Sequence, residues 1–398
     1  MKRIAVVAPA VAVMIVLLST NVSTMAVSSP ATWGHRPTNA AAPSITATPL
    51  PTVNPTPFGG PITIGTPLPT PELAPAAIIP SNLDQLTEVM RLGSPTNLGV
   101  SDIRFTQDGR KLVAAWGNLT IWQMPEGEEI SSIPLSTTRW IPLALSPDGQ
   151  IAAIGNHEYL GWVELWNLST QQLVRQHRGG QGVGALGFNS AGTLLAAGRS
   201  DGSVTVWDVA TGRLLRELQK NSWSGCTGMA FHPTRDEIAA SGAGNTVRIW
   251  NAWSGALEGQ LTLPNPLASC ELSSLAYRPD GKALVAASFW ERSIALWEGA
   301  TYVGTLTHTD GGTVWQIAWS PDGRLLASLE SNARAPIVLW DMQAHSVAAT
   351  REEWRDVARF SPDGAILATQ GLDGLNSTLR VLRIWDPAFF VCLPIIRK

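Results

Sequence analysis

The 398-residue sequence predicts an all-β fold built from seven copies of one unit, each of four short antiparallel strands. Two observations predict it. A tryptophan closes a short, mostly β-branched run seven times, at Trp122, Trp166, Trp207, Trp250, Trp297, Trp340 and Trp385, in steps of 44, 41, 43, 47, 43 and 45 residues. A turn signal also recurs ahead of each tryptophan: Ser146-Pro147-Asp148-Gly149, Arg278-Pro279-Asp280-Gly281, Ser320-Pro321-Asp322-Gly323 and Ser361-Pro362-Asp363-Gly364.

Each element of the unit follows in order. An apolar strand leads into the turn, where proline presets φ and glycine supplies φ > 0. Gln107-Asp108-Gly109 and Asn189-Ser190-Ala191-Gly192 are looser versions, and His232-Pro233-Thr234-Arg235 is the loosest, which places His232 in an exposed turn. A second apolar run follows, such as 194–198 or 283–288. A polar link then leads to the tryptophan strand. A second turn, such as 208–212, leads to a fourth strand. A single sheet has two faces and cannot bury both, so neighbouring units must stack on it.

On these residues the chain resembles the WD40-repeat β-propeller family. Trp207-Asp208, Trp340-Asp341 and Trp385-Asp386 match the family's Trp-Asp pair. Trp166-Asn167, Trp250-Asn251, Trp297-Glu298 and Trp122-Gln123 are variants. The resemblance covers roughly residues 83–386 and implies a seven-bladed β-propeller of four-stranded antiparallel blades. TolB-type propellers share the Ser-Pro-Asp-Gly turns but lack the recurring tryptophan. The family often carries Gly-His before each unit's first strand. No unit here has it, and Arg178-Gly179-Gly180 and Thr307-His308-Thr309 stand where it might fall. The family's His–Ser–Asp–Trp network is therefore expected to be absent from most blades. Residues 86–92 resemble a fourth strand, Arg213–Leu218, yet precede the first unit. They are expected to pair beside the strand ending at Trp385, with 389–393 as the rival.

The N-terminus is a different kind of sequence. Lys2 and Arg3 precede an apolar run, Ile4–Leu18, which at 15 residues is shorter than the roughly 20 of a spanning helix. Residues 1–26 read as a signal peptide or N-terminal anchor. Residues 27–77 read as a disordered Pro/Thr/Ala-rich linker, because 13 of the 28 prolines fall between Pro30 and Pro80. The propeller then occupies 78–398. The placement expected is extracytoplasmic, secreted or tethered outside the cytoplasmic membrane, as in some bacterial envelopes.

The net charge of −3 excludes the clustered basic surface that nucleic acid or anionic membrane demands. Cys226 and Cys270 fall near the start of strands in neighbouring units, and with Cys392 at least one thiol is unpaired within a monomer, the expected state. Buried free thiols are preferred to a Cys226–Cys270 bridge. Neither metal-ligand spacing nor a catalytic constellation is found, so no cofactor and no enzymatic activity are expected. The string Gly198-Arg199-Ser200-Asp201-Gly202 matches G-x-S-x-G, but a hairpin explains it better than a nucleophile elbow.

Strands a to d, counted outward, put the a–b and c–d turns on one face and the b–c and d–a connections on the other. Ten tryptophans lie outside the repeat; Trp319 fills a core aromatic slot, and Trp162 and Trp315 are best read as core packing. The binding residues expected on the b–c/d–a face are Trp116, Trp140, Trp223, Trp290 and Trp354, with Arg139, Arg199 and Arg292. The function expected is a non-catalytic extracytoplasmic scaffold binding a protein or peptide there. The alternatives are a carbohydrate or small-ligand module on the same tryptophans, or an enzyme at the channel mouth.

Overall fold

The computed structural model describes residues 76–96, 100–135, 141–157, 161–178, 180–218, 228–242, 246–264, 272–288, 292–308, 313–331, 336–351, 354–373 and 376–384. The signal and linker segments up to residue 75, the three cysteines, Trp385 and the rival closing strand 389–393 lie outside them.

Seven four-stranded antiparallel sheets form seven blades. Blade 1 runs through Asp102–Phe105, Lys111–Ala115, Asn118–Gln123 and Glu128–Pro134, its strands a to d. Blade 2 spans Leu143–Leu145 to Gln172–His177, blade 3 Val183–Phe188 to Leu214–Leu218, and blade 4 Met229–Phe231 to Leu257–Thr262. Blade 5 spans Leu272–Tyr277 to Thr301–Thr307, and blade 6 Thr313–Trp319 to Ser346–Arg351. Blade 7 has strands Trp354–Phe360, Ile366–Asp373 and Asn376–Ile384, and its outer strand is Leu86–Thr96 from the other end of the propeller. Strand a of each blade touches strand a of the next, and that of blade 7 touches that of blade 1, so the ring is closed.

The a–b turns explain why the blades are alike. Ser146, Ser320 and Ser361 donate from Oγ to Asp148, Asp322 and Asp363, and each carboxylate also accepts the backbone N–H of the residue after the glycine. The glycine that permits this stands at φ 67–73°, where a Cβ would be strained. His232 departs from the expectation of exposure. It is buried, because its Nδ1 accepts the N–H groups of Thr234 and Arg235, doing the work of the missing serine and aspartate, while its Nε2 meets the Gly281 carbonyl at 3.1 Å.

The six described repeat tryptophans pack between blades, with Trp122 and Trp297 almost wholly enclosed. Blade 6 keeps a version of the network expected to be absent from most blades. Trp340 Nε1 donates to Ser328 Oγ at 2.8 Å, Ser328 Oγ meets His308 Nε2 at 3.1 Å, and His308 Nδ1 meets the Glu330 carboxylate. The register shows why blades 1–5 lack it. Two positions beyond the tryptophan's partner on strand b, where blade 6 has Ser328, they have Ala114, Ile154, Ala197, Ala240 and Ala286, none able to bridge.

Closure is made by Leu86–Thr96, paired antiparallel with strand c of blade 7 from Leu86↔Ile384 through Leu92↔Leu379 to Thr96↔Ser377. Ahead of it, Ile78 N donates to Gly364 O at 2.8 Å, and Ile78, Leu83 and Leu86 enter the core between blades 6 and 7. Leu92 enters the core between blades 7 and 1. Replacing Leu92 by Ala removes buried contact at this latch and should lower unfolding free energy by about 2–5 kcal/mol. Val89→Ala, at the exposed bulge of the same strand, should change it by less than about 0.5 kcal/mol in chemical denaturation.

Candidate functional site

The b–c/d–a face is the first candidate, and two residues expected there belong to the interior. Trp116 follows strand b of blade 1 and is buried. Its Nε1 donates to Thr120 Oγ1 at 2.9 Å, its ring meets Trp122 edge-on at 5.7 Å, and Gly93 leaves the space it occupies. Arg199 is buried too. It donates to Thr205 Oγ1 and to the Gln181 carbonyl, and lies 5.7 Å over the Trp207 ring, whose other contact is the stacked imidazole of His177. Both are corrections. Each side chain sits beside a repeat tryptophan with a polar partner in reach, so burial is favourable and neither presents itself to a partner.

Arg292 is exposed, in the b–c connection of blade 5, at φ 56°. A non-glycine residue in this region is strained, and here the backbone just past strand d holds it, since His308 N donates to the Arg292 carbonyl. Trp140, Trp223, Trp290 and Arg139 lie outside the described residues. Trp354 opens strand a of blade 7 opposite Gly371, and its side chain lies outside them too. Trp162 and Trp315 are half-buried. Trp319 ties blade 6 to blade 5 by donating to the Ala276 carbonyl at 3.2 Å. The Gly198–Gly202 string is the b–c hairpin of blade 3, closed by Gly202 N donating to Arg199 O at 2.9 Å.

A second cluster was not legible as a site in the sequence. Strands a of blades 6, 7 and 1 bring Gln316, Arg359, Asp102 and Arg104 together. Asp102 Oδ1 accepts from Arg104 at 2.5 Å, Arg359 at 3.1 Å and Gln316 at 3.5 Å, and Oδ2 accepts Leu143 N–H at 3.4 Å. One carboxylate thus answers two guanidiniums from neighbouring blades. Burial, with Arg104 alongside, lowers the Arg359 pKa to about 9, and Asp102 opposes that shift. Its signal in the sequence is faint: Arg104 and Arg359 each precede a strand-a aromatic, Phe105 and Phe360, where other blades carry Gly187, Ala230, Ala276 or Ala318. The group can hold three blades in register. Among the described residues, no group of three or more His, Cys, Asp and Glu is placed to hold a metal ion.

Comparison with known proteins agrees with the fold. The model of the WD40 domain of anaphase-promoting complex subunit 4 matches residues 143–232, and that of eukaryotic translation initiation factor eIF2A matches 301–390. WD repeat-containing protein slp1 of Schizosaccharomyces pombe is 25% identical over 295 residues, 69% of this chain and 56% of that protein. Periodic tryptophan protein 2 homolog of the same yeast is 31% identical over 114 residues, 28% of this chain and 13% of that protein. Cell division cycle 20.1, cofactor of APC complex, of Arabidopsis thaliana is 24% identical over 272 residues, 64% and 54%. The chain spans about half or less of the length of these relatives. Their kinship supports a WD40-repeat propeller. It also overturns the extracytoplasmic placement read from residues 1–26: the relatives are intracellular WD-repeat proteins of eukaryotes.

Removing the shared carboxylate by Asp102→Ala leaves two partly buried guanidiniums facing each other and should cost about 2–3 kcal/mol of stability. Adding Arg359→Met should recover part of that loss in the same denaturation assay. Acid acts elsewhere. Burial, then the neighbouring Arg175 and Arg199 for His177 and Arg235 for His232, hold both imidazoles below the ordinary 6.5. The unfolded chain therefore takes up protons near 6.5 that the fold accepts only at lower pH, so stability present above 6.5 is lost as pH falls through the folded values. Melting temperature should drop between about pH 7 and 5, and less steeply in a His177→Gln/His232→Asn variant.

Proposed function

We propose that this chain is a non-catalytic interaction scaffold that binds a protein or peptide on its b–c/d–a face. The observation that carries the reading is an asymmetry between the two faces. All seven a–b turns are five residues long, from 106–110 to 361–365, whereas the d–a connections range from two residues, 352–353, to ten, 219–228. Uniform turns build a frame, and loops of differing length on a rigid frame are where recognition residues usually stand. The exposed, strained Arg292 lies on the variable face.

The contact residues proposed are Trp140, Trp223, Trp290, Trp354, Arg139 and Arg292. Tryptophan and arginine contribute most at interfaces because each offers large contact area and directional polar groups. Kinship with proteins named as a WD-repeat protein and as a cofactor of the APC complex supports a protein partner. Affinity capture with the full chain, quantified by mass spectrometry, tests the face. A partner enriched by the wild type should fall at least about fivefold with Trp223→Ala or Arg292→Ala at unchanged melting temperature. Equal recovery with both variants would remove this face from the interaction.

A further inference from the structure

The innermost strands carry their charge on one side of the ring. Strands a of blades 2–6 contain no Asp, Glu, Lys or Arg, whereas those of blades 7 and 1 contain Arg355, Asp356, Arg359, Asp102 and Arg104. The side chains of Arg355 and Asp356 lie outside the described residues, and counted with the rest they still leave one positive charge in excess. Arg104 and Arg359 hold the same place in their blades, the last but one of strand a, just ahead of the a–b turn. The corresponding residues of blades 2–6 are Ala144, Gly187, Ala230, Ala276 and Ala318. Two long cations therefore stand at a level of the ring where every other blade offers a methyl group or less.

One carboxylate does not answer both guanidiniums in full. Asp102 accepts Arg104 Nη1 and Arg359 Nη2 through the same oxygen, Oδ1, so the two cations lie side by side. Arg104 Nη1 also donates to the Ile103 carbonyl, and Arg359 Nη1 to the Ala358 carbonyl. Arg104 Nε and Nη2 and Arg359 Nε have no partner among the described residues, and none of the three is shut off from solvent. The Arg104 side chain is 27% exposed and that of Arg359 16%, and on the innermost strand this surface faces the channel. Arg359 is still a cation at neutral pH, since burial brings its pKa down only to about 9. Partly buried donors of excess positive charge, open to the channel, mark where an anion is favoured.

We propose that the channel binds a phosphate group between Arg104 and Arg359, either free phosphate or the terminus of a small phosphorylated molecule. Guanidinium and phosphate form charge-assisted hydrogen bonds, roughly twice as strong as neutral ones. The remaining donors belong to two guanidiniums on neighbouring strands and approach from two directions. A tetrahedral oxyanion meets them with separate oxygens, whereas a planar carboxylate is matched by a single guanidinium fork. Asp102 remains the fixed counter-ion that holds both arginines beside the site. The small residues of blades 2–6 leave room at this level. Both arginines stand next to the a–b turns, so the ligand enters from that side and the site is independent of the b–c/d–a face.

Isothermal titration calorimetry of the full chain with inorganic phosphate, in low-salt buffer at neutral pH, tests this. Phosphate should bind saturably at a single site, and acetate at least about tenfold more weakly. Arg104→Gln and Arg359→Gln should each weaken phosphate about tenfold or more, the size of one hydrogen bond to a charged group. Arg324→Gln, which removes an exposed guanidinium on the a–b turn of blade 6, should bind as the wild type does. Arg104→Lys keeps the charge but loses the fork, and it replaces the glutamine variant, with weaker binding again expected, should that one melt early. Glycerol phosphate is titrated alongside. Tighter binding than inorganic phosphate assigns the site to a phosphorylated small molecule, and equal or weaker binding assigns it to the free ion. Absence of saturable phosphate binding, equal affinity for acetate, or undiminished affinity in the Arg104 and Arg359 variants would each overturn the proposal.

Discussion

The fold depends on one pairing between distant parts of the chain, that of Leu86–Thr96 with Asn376–Ile384. Seven sheets stacked in a ring bury their faces only if the seventh meets the first, and an open ring would expose a face at each end. The closing strand contributes more than backbone hydrogen bonds. Leu83 and Leu86 fill one side of blade 7, and Leu92 and Met90 fill the other, against Gly127 of blade 1. Arg351 of blade 6 adds a hydrogen bond to the Leu83 carbonyl at 2.8 Å. The contact is non-local, so its loop-closure entropy is offset only once the intervening blades are in place.

Within the ring, one repeated residue is satisfied in several ways. Trp340 donates into a serine–histidine–glutamate relay. Trp166 donates to Glu164, and Trp207 lies between His177 and Arg199. Trp122 is met edge-on by a second tryptophan. The common requirement is a large rigid ring in a gap between tapering sheets. The polar neighbours differ because the residue on strand b that could bridge to the indole is a serine in blade 6 and alanine or isoleucine in blades 1–5. The tryptophans outside the repeat divide by the same physics: Trp116 became a second layer of core because Thr120 could answer its N–H.

The period of the tryptophans and the turn chemistry were enough to read the number of blades, the strand order within each and the turns that join them. The strand 86–92 was legible by its likeness to Arg213–Leu218, although its pairing runs on to Thr96. The site was less legible. Arg199 and Trp116 looked like surface residues because they lie at strand ends beside loops. His232 looked exposed because its turn departs from the pattern. The group of Asp102, Arg104, Arg359 and Gln316 spans three blades, and its local pattern is no more than an arginine before a strand-a aromatic.

What the sequence by itself determined is whatever depends on residues a few positions apart: turn type, strand alternation, and the interval at which a large ring is needed. Those are local constraints of φ, of side-chain periodicity and of hydrogen bonding. Only the tertiary structure decided which polar side chains meet across blades and which tryptophans are buried. Each of these turns on distances between residues tens to hundreds of positions apart.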